Sequence, residues 1–455
     1  MNIVILAAGQ GKRMYSALPK VLHSIAGKPM LGHVLDTVQK IDSSVKPCIV
    51  LGHGQDAVKE YLNLHHSNFT IAIQAEQKGT GHAVMQALPY LNEDLSTLIL
   101  YGDVPLIQAS TLTDLLRLAQ DETLVILTQE LENPHGYGRI VRSLDGEVIG
   151  IVEEKDATVE IKQIREINTG MMACPTKELR QWLAQIQPNN VQGEHYLTDI
   201  VGLAAGQGVP IRTMMPQYGF EVEGVNSRVQ LAALERAWQS HQALDLLQGG
   251  ITLIDPNRID IRGNFKCSND VTIDIGCVFE GQVEIADGVH IGPYCVIKDS
   301  KIGANSQIKA FSHLEGAVVG ESAVIGPYAR LRPGTEIDEH AHIGNFVEVK
   351  NSRIGKGSKA NHLSYIGDAQ VGSRVNIGAG TITCNYDGVN KYQTIIEDDA
   401  FIGSDTQLVA PVTVGKGATI GAGTTLTKDA PTQQLTISRV KQFSLKWQRP
   451  PKKIQ

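Results

Sequence analysis

The 455-residue sequence has little aromatic content, 5%, and only six cysteines. Cys48, Cys174, Cys267, Cys277, Cys295 and Cys384 form no Cys-x-x-Cys pair and no closely spaced framework. That excludes a disulfide-stapled or thiol-ligated scaffold and predicts reduced thiols in a cytoplasmic protein. Positive charge is not in excess. With 41 Lys and Arg against 48 Asp and Glu, the formal net charge is −7. The expected partners are therefore small molecules, with no nucleic acid and no membrane. No uninterrupted apolar run approaches the ~20 residues of a membrane span. The opening Met1-Asn2-Ile3-Val4-Ile5-Leu6-Ala7-Ala8-Gly9 lacks a basic region and a small-residue cleavage site, so it reads as a strand entering a glycine loop. Among 14 histidines the close pairs are His65-His66 and His340-x-His342, without ligand-spaced companions, which argues against structural zinc.

What is plentiful is glycine, 45 residues with no Gly-X-Y period. The length predicts two large domains or three smaller ones. Up to about residue 225, strand candidates (residues 2–6, 47–51, 97–101, 124–128 and 147–152) alternate with amphipathic segments such as 110–119 and 177–184. This pattern predicts an open, mostly parallel α/β sheet, with ligands bound at the carboxyl ends of its strands.

From about residue 250 the period becomes six. Ile285, Ile291 and Ile297 set the step; Ile325, Leu331, Ile337, Ile343 and Val349 keep it; Ile402, Leu408, Val414, Ile420 and Leu426 resume it. Neither helix nor strand generates a sustained six, whereas a hexapeptide parallel β-helix does, at about 18 residues per three-sided coil. The period fails between Thr383 and Ile395, expelling a polar loop that either meets a ligand or neighbour, or is a tolerated insertion. Between the halves, Leu231, Leu234, Trp238, His241, Leu244 and Leu247 predict one helix, with Trp238 in core packing. The boundaries expected are 1–228, a helical linker at 229–249, and 250–455. Arg439, Lys441, Lys446, Arg449, Lys452 and Lys453 make the end basic, suited to phosphates or simply solvated.

Three segments of the first half carry chemistry. Leu6-Ala7-Ala8-Gly9-Gln10-Gly11-Lys12-Arg13, followed by Pro19-Lys20, is neither a dinucleotide fingerprint nor a Walker loop. Its glycines still let backbone N–H groups approach phosphate, and Arg13 and Lys20 add fixed positive charge. A basic strand-to-helix turn is the plainer reading. Leu98 to Asp103 is a strand ending in a carboxylate suited to Mg2+, or else a good turn. Gln74 to Ala83 combines amide, hydroxyl and glycine backbone that read a base edge or cap a helix.

In the second half, residues 344–350 and 359–368 interrupt the hexapeptides with polar groups. Forming an amide from an ammonium group requires removing a proton. A histidine such as His362, of a residue type that titrates near neutrality, suits that task, although isolated histidines are also structural.

Together these segments resemble the sugar-nucleotide pyrophosphorylases. With the hexapeptide half, the whole chain is similar to the bacterial bifunctional N-acetylglucosamine-1-phosphate uridyltransferase/glucosamine-1-phosphate acetyltransferase family. The resemblance implies a Rossmann-like α/β nucleotidyltransferase domain followed by a left-handed parallel β-helix that assembles as a homotrimer. It implies that Leu6, Ala7, Ala8, Gly9, Lys20, Gln74, Gly79, Thr80, Tyr101, Gly102 and Asp103 contact UTP or UDP-N-acetylglucosamine. Arg13 would stabilise the phosphoryl transition state, and Asp103 and Asn226 would hold Mg2+. Gly138, Glu153 and Asn168 would embrace the sugar. Asn226 also suits the N-cap of the linker helix. Arg332, Lys350, Tyr365 and Asn376 would bind glucosamine-1-phosphate. Ala379, Asn385, Tyr386, Ser404, Ala422 and Arg439 would hold acetyl-CoA, with the basic tail contributing to a neighbouring subunit's site. His362 would be the acetyl-transfer base. One departure is Lys12, where the family carries threonine. The competing expectations are a monofunctional pyrophosphorylase with a non-catalytic β-helix, or a nucleotide-sugar-binding scaffold.

Overall fold

A computed structural model describes residues 1–119 and 122–449 and divides the chain into two compact units, Met1–Trp238 and Gln239–Gln455. The division falls inside one helix, Arg228–Gln248.

The first unit is built on a nine-stranded sheet whose central order is Ile211–Met214, Leu124–Glu130, Glu166–Pro175, Ser96–Tyr101, Asn2–Ala7, Cys48–Leu51, Thr70–Ile73. Asn2–Ala7 runs parallel to Ser96–Tyr101 and to Cys48–Leu51. Its alternating side chains feed two cores. Val4 and Leu6 join Val50, Ile99 and Met172 on one face, while Ile3, Ile5 and Ala7 join Ile49, Leu98 and Leu100 on the other. A strand covered on both faces must be apolar throughout, which is why residues 2–7 read as a continuous hydrophobic run. The helices Ala109–Leu118 and Thr176–Leu183 lie within a residue of their expected bounds.

Four strands of this sheet were not anticipated: Thr70–Ile73, Arg139–Arg142, Glu166–Pro175 and Ile211–Met214. Glu166–Pro175 is antiparallel to both neighbours and bulges between Asn168 and Met172. Its bulge carries Thr169 and Gly170, which disguise the strand in the sequence. Trp238 packs with Phe220, Leu231, Leu234 and Met14 in a small third cluster.

The second unit is a 26-stranded parallel ladder from Thr252 to Thr436, in which each short strand pairs with the one a coil later. The offset is 17 or 18 residues over most of the ladder, as in the bonds Ala317 to Ser300 and Asn264 to Gln282, and 16 at its last rung, where Thr419 pairs with Leu435. The aliphatic residues that set the six-residue period fill the prism, and none is more than 3% exposed. Truncating one such isoleucine to alanine costs about 2–5 kcal/mol. At the expelled loop the offset grows to 25, as between Ser373 and Asp398.

One corner is occupied by left-handed residues on successive coils: Tyr294, Phe311, Tyr328, Phe346 and Leu363, with φ from 38° to 60°. Each costs roughly 1–2 kcal/mol of backbone strain. The four rings stack at centroid distances of 5.3, 4.9 and 5.4 Å, contacts worth about 0.5–1.5 kcal/mol each. Arg258 lies 5.7 Å above the first ring.

Candidate functional site

In the first unit, Leu6 to Gly9, Gln74 and Gly102-Asp103 follow directly from the carboxyl ends of parallel strands. Chain topology therefore gathers segments far apart in sequence at one edge of the sheet. All of these but Gly102 line a cavity of about 260 Å³ that brings together Leu6, Ala7, Ala8, Gly9, Lys20, Gln74, Gly79, Thr80, Tyr101 and Asp103. Two glycines are required there by conformation. Gly11 has φ 63°, and a Cβ on it would meet the Lys20 side chain at 2.7 Å. Gly79 has φ 105°, and a Cβ would strike the His195 carbonyl oxygen at 2.5 Å.

Gln77 and Glu194 also line the cavity. Sequence reasoning did not assign them. Gln77 donates nothing distinctive to its motif, and Glu194 belongs to a distant loop that docks through the Gly81 N–H to His195 carbonyl bond of 2.8 Å.

Lys20 organises the charge. Its ammonium donates to the Asp103 carboxylate and, at 2.9 Å, to Asn226 Oδ1, with only 10% of the lysine side chain exposed. The two oxygens thus already converge on one cation, so their geometry and chemistry fit Mg2+, a hard ion that prefers oxygen ligands. Asn226 does not cap the following helix. Ser227 Oγ takes that place by accepting the Gln230 N–H at 3.3 Å, which leaves the Asn226 side chain for Lys20. Lys12 and Arg13 sit exposed on the turn Lys12–Met14, and neither lines the cavity.

Gly138, Glu153 and Asn168 form a second cluster. The Asn168 N–H donates to the Gly138 carbonyl at 2.9 Å, and a Cβ on Gly138 would lie 3.4 Å from the Glu153 carboxylate. Gly170 closes against the Tyr101 ring, which joins this cluster to the cavity. Burial raises the pKa of Glu153, with Asp156 and Asp199 adding to the rise and a hydrogen bond from Thr198 opposing it. Burial, then Glu153 and Asp103, likewise raises Tyr101.

In the second unit, strands His342–Lys350 and Lys359–Gly367 pair so that Asn345 stands beside His362 and Glu348 beside Tyr365. His362 Nδ1 lies 3.0 Å from Asn345 Oδ1. An amide oxygen accepts, so Nδ1 carries the hydrogen, and in the neutral ring the lone pair is on Nε2. Arg332 donates to Glu348 at 2.9 Å. Lys350, Asn351 and Asn385 all meet Asp368. Burial works against charge on Asp368, but bonds from Asn351 and Asn385 and the Lys350 ammonium outweigh it and hold the carboxyl below its usual range. Asn376 pairs in register with Lys359 and Phe401. Tyr386 is exposed on the expelled loop, where its hydroxyl donates to the Gly388 carbonyl.

The ring-lined corner continues through this region. Backbone bonds link Gly380 to Leu363, Asp405 to Ala379 and Gly423 to Ser404. Asn345, His362, Ala379, Ser404 and Ala422 consequently occupy the same place on successive coils, each just before the left-handed corner residue. At His362 the corner changes from rings and leucine to Gly380, Asp405 and Gly423, leaving an open strip past the imidazole. Arg439 closes its far end, with guanidinium atoms 3.6 Å from the Cβ position of Gly421. Asn345 and Asp368 were not assigned from sequence, because their partners lie a coil away and meet them only once the coils stack. Lys452 and Lys453 lie outside the described residues.

Comparison with known proteins supplies the family. Residues 3–165 match the MobA-like NTP transferase domain, 261–335 the GMPPB C-terminal domain, and 393–428 the bacterial transferase hexapeptide (six repeats). The chain is 59% identical to a "Bifunctional protein GlmU" of Herminiimonas arsenicoxydans over 453 residues, covering 99% of each chain. A namesake from a Janthinobacterium species is 60% identical with the same coverage, and one from Bordetella parapertussis is 57% identical over 100% of both chains. The chain belongs to the GlmU family. As a GlmU-family member it is a bifunctional transferase, a Rossmann-like nucleotidyltransferase followed by a left-handed hexapeptide β-helix acyltransferase. The reading of a single-activity pyrophosphorylase with an inert solenoid is not supported.

Proposed function

We propose that the chain makes UDP-N-acetylglucosamine in two steps, in the cytoplasm and as a homotrimer, feeding cell-wall peptidoglycan and lipopolysaccharide synthesis. Residues 1–228 serve as the uridyltransferase, 229–249 as linker and 250–455 as the acetyltransferase. The observation that carries the reading is the coexistence in one chain of an oxygen-lined cation cradle (Lys20 between Asp103 and Asn226) and an imidazole oriented by Asn345.

In the first step His362 Nε2 takes a proton from the ammonium of glucosamine-1-phosphate. The freed amine attacks the acetyl-CoA thioester carbon, the C–S bond breaks, and CoA leaves as the thiol. Arg332, Lys350, Tyr365 and Asn376 hold the sugar phosphate. Ala379, Asn385, Tyr386, Ser404, Ala422 and Arg439 hold acetyl-CoA along the open strip.

In the second step a phosphate oxygen of N-acetylglucosamine-1-phosphate attacks the α-phosphorus of UTP, and the bond to pyrophosphate breaks. The attacking oxygen is already ionised, so positioning and charge stabilisation dominate. Leu6 to Gly9, Gln74, Gly79, Thr80, Tyr101 and Gly102 line the nucleotide's path. Gly138, Glu153 and Asn168 hold the sugar. Lys20 and Arg13 meet phosphate charge, Arg13 by folding inward from its exposed turn. Asp103 and Asn226 would hold Mg2+, which neutralises charge on the phosphate oxygens.

The homotrimer is supported by the ring-lined corner, where Tyr294, Phe311, Tyr328 and Phe346 are 43–58% exposed, more apolar surface than a lone solenoid needs to show. The test supplies glucosamine-1-phosphate, acetyl-CoA, UTP and Mg2+, and follows free thiol and pyrophosphate separately. Both products are expected, and thiol release must not require UTP. Absence of either product overturns the two-step reading.

A further inference from the structure

We infer that His82 is a positioning residue that sets the base selectivity of the nucleotide cavity, by locking the Gln74 side-chain amide in one of its two orientations. The inference rests on the nucleotidyl-transfer reading of this cavity and deepens it.

Gln74 is a buried polar residue, 3% exposed, in the cavity wall. Its Nε2 lies 3.0 Å from the Gly79 carbonyl oxygen and 3.1 Å from His82 Nδ1. The carbonyl has no hydrogen to give, so the amide must turn its NH2 that way. The second hydrogen on the same nitrogen then points at His82 Nδ1, which accepts it only as a neutral imidazole carrying its hydrogen on Nε2. Both donors of Gln74 are thereby consumed within the protein, and Oε1 has no protein hydrogen bond among the described residues. A cavity wall offering a bare acceptor favours a base edge that carries an N–H. The imide N3–H of uracil satisfies it, whereas the N3 lone pair of cytosine faces it with an unpaired acceptor.

Gln86, on the same helix (Thr80–Ala87), donates from its amide nitrogen to the His82 carbonyl at 3.2 Å and brings that nitrogen within 3.3 Å of Nε2. It therefore competes with Gln74 for the single lone pair of the neutral ring, and the lock is the tautomer that takes the shorter Gln74 contact. Lys78 and Glu76 stand in the loop before that helix, and the His195 ring approaches to 6.3 Å from another loop. Burial, then the charges of Lys78 and His195, holds the imidazole below its ordinary range against the opposing pull of Glu76. The neutral form that the lock requires therefore persists through neutral pH. In acid, a protonated Nδ1 donates instead and releases the amide.

The test uses the full chain, with pyrophosphate release from UTP and from CTP measured between about pH 5.5 and 8. His82→Phe keeps the ring but removes the acceptor, and His82→Asn returns an acceptor near the Nδ1 position. His82→Phe is expected to lower the UTP:CTP ratio of kcat/KM about tenfold, the worth of one hydrogen bond, through the KM for UTP rather than kcat. His82→Asn should recover most of the ratio. The wild-type ratio should fall in acid while that of His82→Phe stays flat. After Gln74→Leu, which lacks the amide, His82→Phe should have no further effect on the ratio. An unchanged ratio and acid limb in His82→Phe, or additive effects with Gln74→Leu, overturn the inference. A wild-type chain that releases no pyrophosphate from UTP overturns the cavity reading itself. His82→Phe protein that melts early is judged on the His82→Asn and Gln74→Leu ratios, and equal ratios in wild type and Gln74→Leu sink the proposal.

Discussion

The two halves hold their reactive groups in opposite ways. In the α/β unit, charge is answered inside the chain, with Lys20 bonded to Asp103 and Asn226 in a wall that hides nine-tenths of the lysine. On the β-helix, His362, Ser404, Ala422 and Arg439 are exposed along one corner. A doubly covered sheet can wall a cavity with its own loops. A solenoid presents convex corners, and this one leaves those side chains exposed. The first architecture walls its cavity with one chain's own loops; the second leaves its polar strip open, which is what the proposed homotrimer would cover.

The largest effects should separate the halves. Asp103→Ala removes the carboxylate from the cradle and should lower pyrophosphate release by about 10³-fold, with thiol release unchanged. His362→Ala should lower thiol release by a similar factor, about 10³, while uridylyl transfer from supplied N-acetylglucosamine-1-phosphate continues. Parallel loss of both activities in either variant would break the separation. A middle-sized effect sharpens the account of the open site. Asn345→Ala frees the His362 ring and should lower the kcat for acetylation about 30-fold with little change in KM, and Asn345→Asp should restore most of it. Equal activity of the alanine variant would detach Asn345 from the base.

The smallest effect concerns the enclosed site. Burial raises the Glu153 pKa, so it takes up a proton at higher pH than an ordinary glutamate. The KM for N-acetylglucosamine-1-phosphate should therefore begin to rise while other carboxylates are still charged. It should increase about tenfold across the Glu153 titration, in line with loss of one charged hydrogen-bond acceptor worth about 1.5 kcal/mol. Glu153→Gln should flatten that limb. Stability moves the other way: the folded pKa lies above the unfolded one, so stability from this group grows as pH falls through the folded value. An acid limb that survives in Glu153→Gln assigns it elsewhere.

What could be read from the sequence follows from how local each signal is. Leu6 to Gly9 and Asp103 sit where contiguous strands end, so motif and topology coincide. Ile285 to Leu426 declare the prism because a six-residue period has one physical origin. Asn345 is paired across a coil, and its partnership with His362 exists only once the coil closes. Glu194 reaches the cavity through backbone bonds of His195, which no side-chain pattern encodes. The antiparallel Glu166–Pro175 was hidden by its own bulge. Asn226 admitted two readings until Ser227 was seen to take the cap.

The recurring corner also acts as a ruler. Because most coils repeat at 17 or 18 residues, gain or loss of one coil would move the His362 imidazole along the axis by a single rung of ~4.8 Å and leave its neighbours in phase. A change of half a coil would turn buried aliphatic faces outward. The distance between the start of the solenoid and its chemistry is thus quantised, and evolution can adjust it only in whole steps.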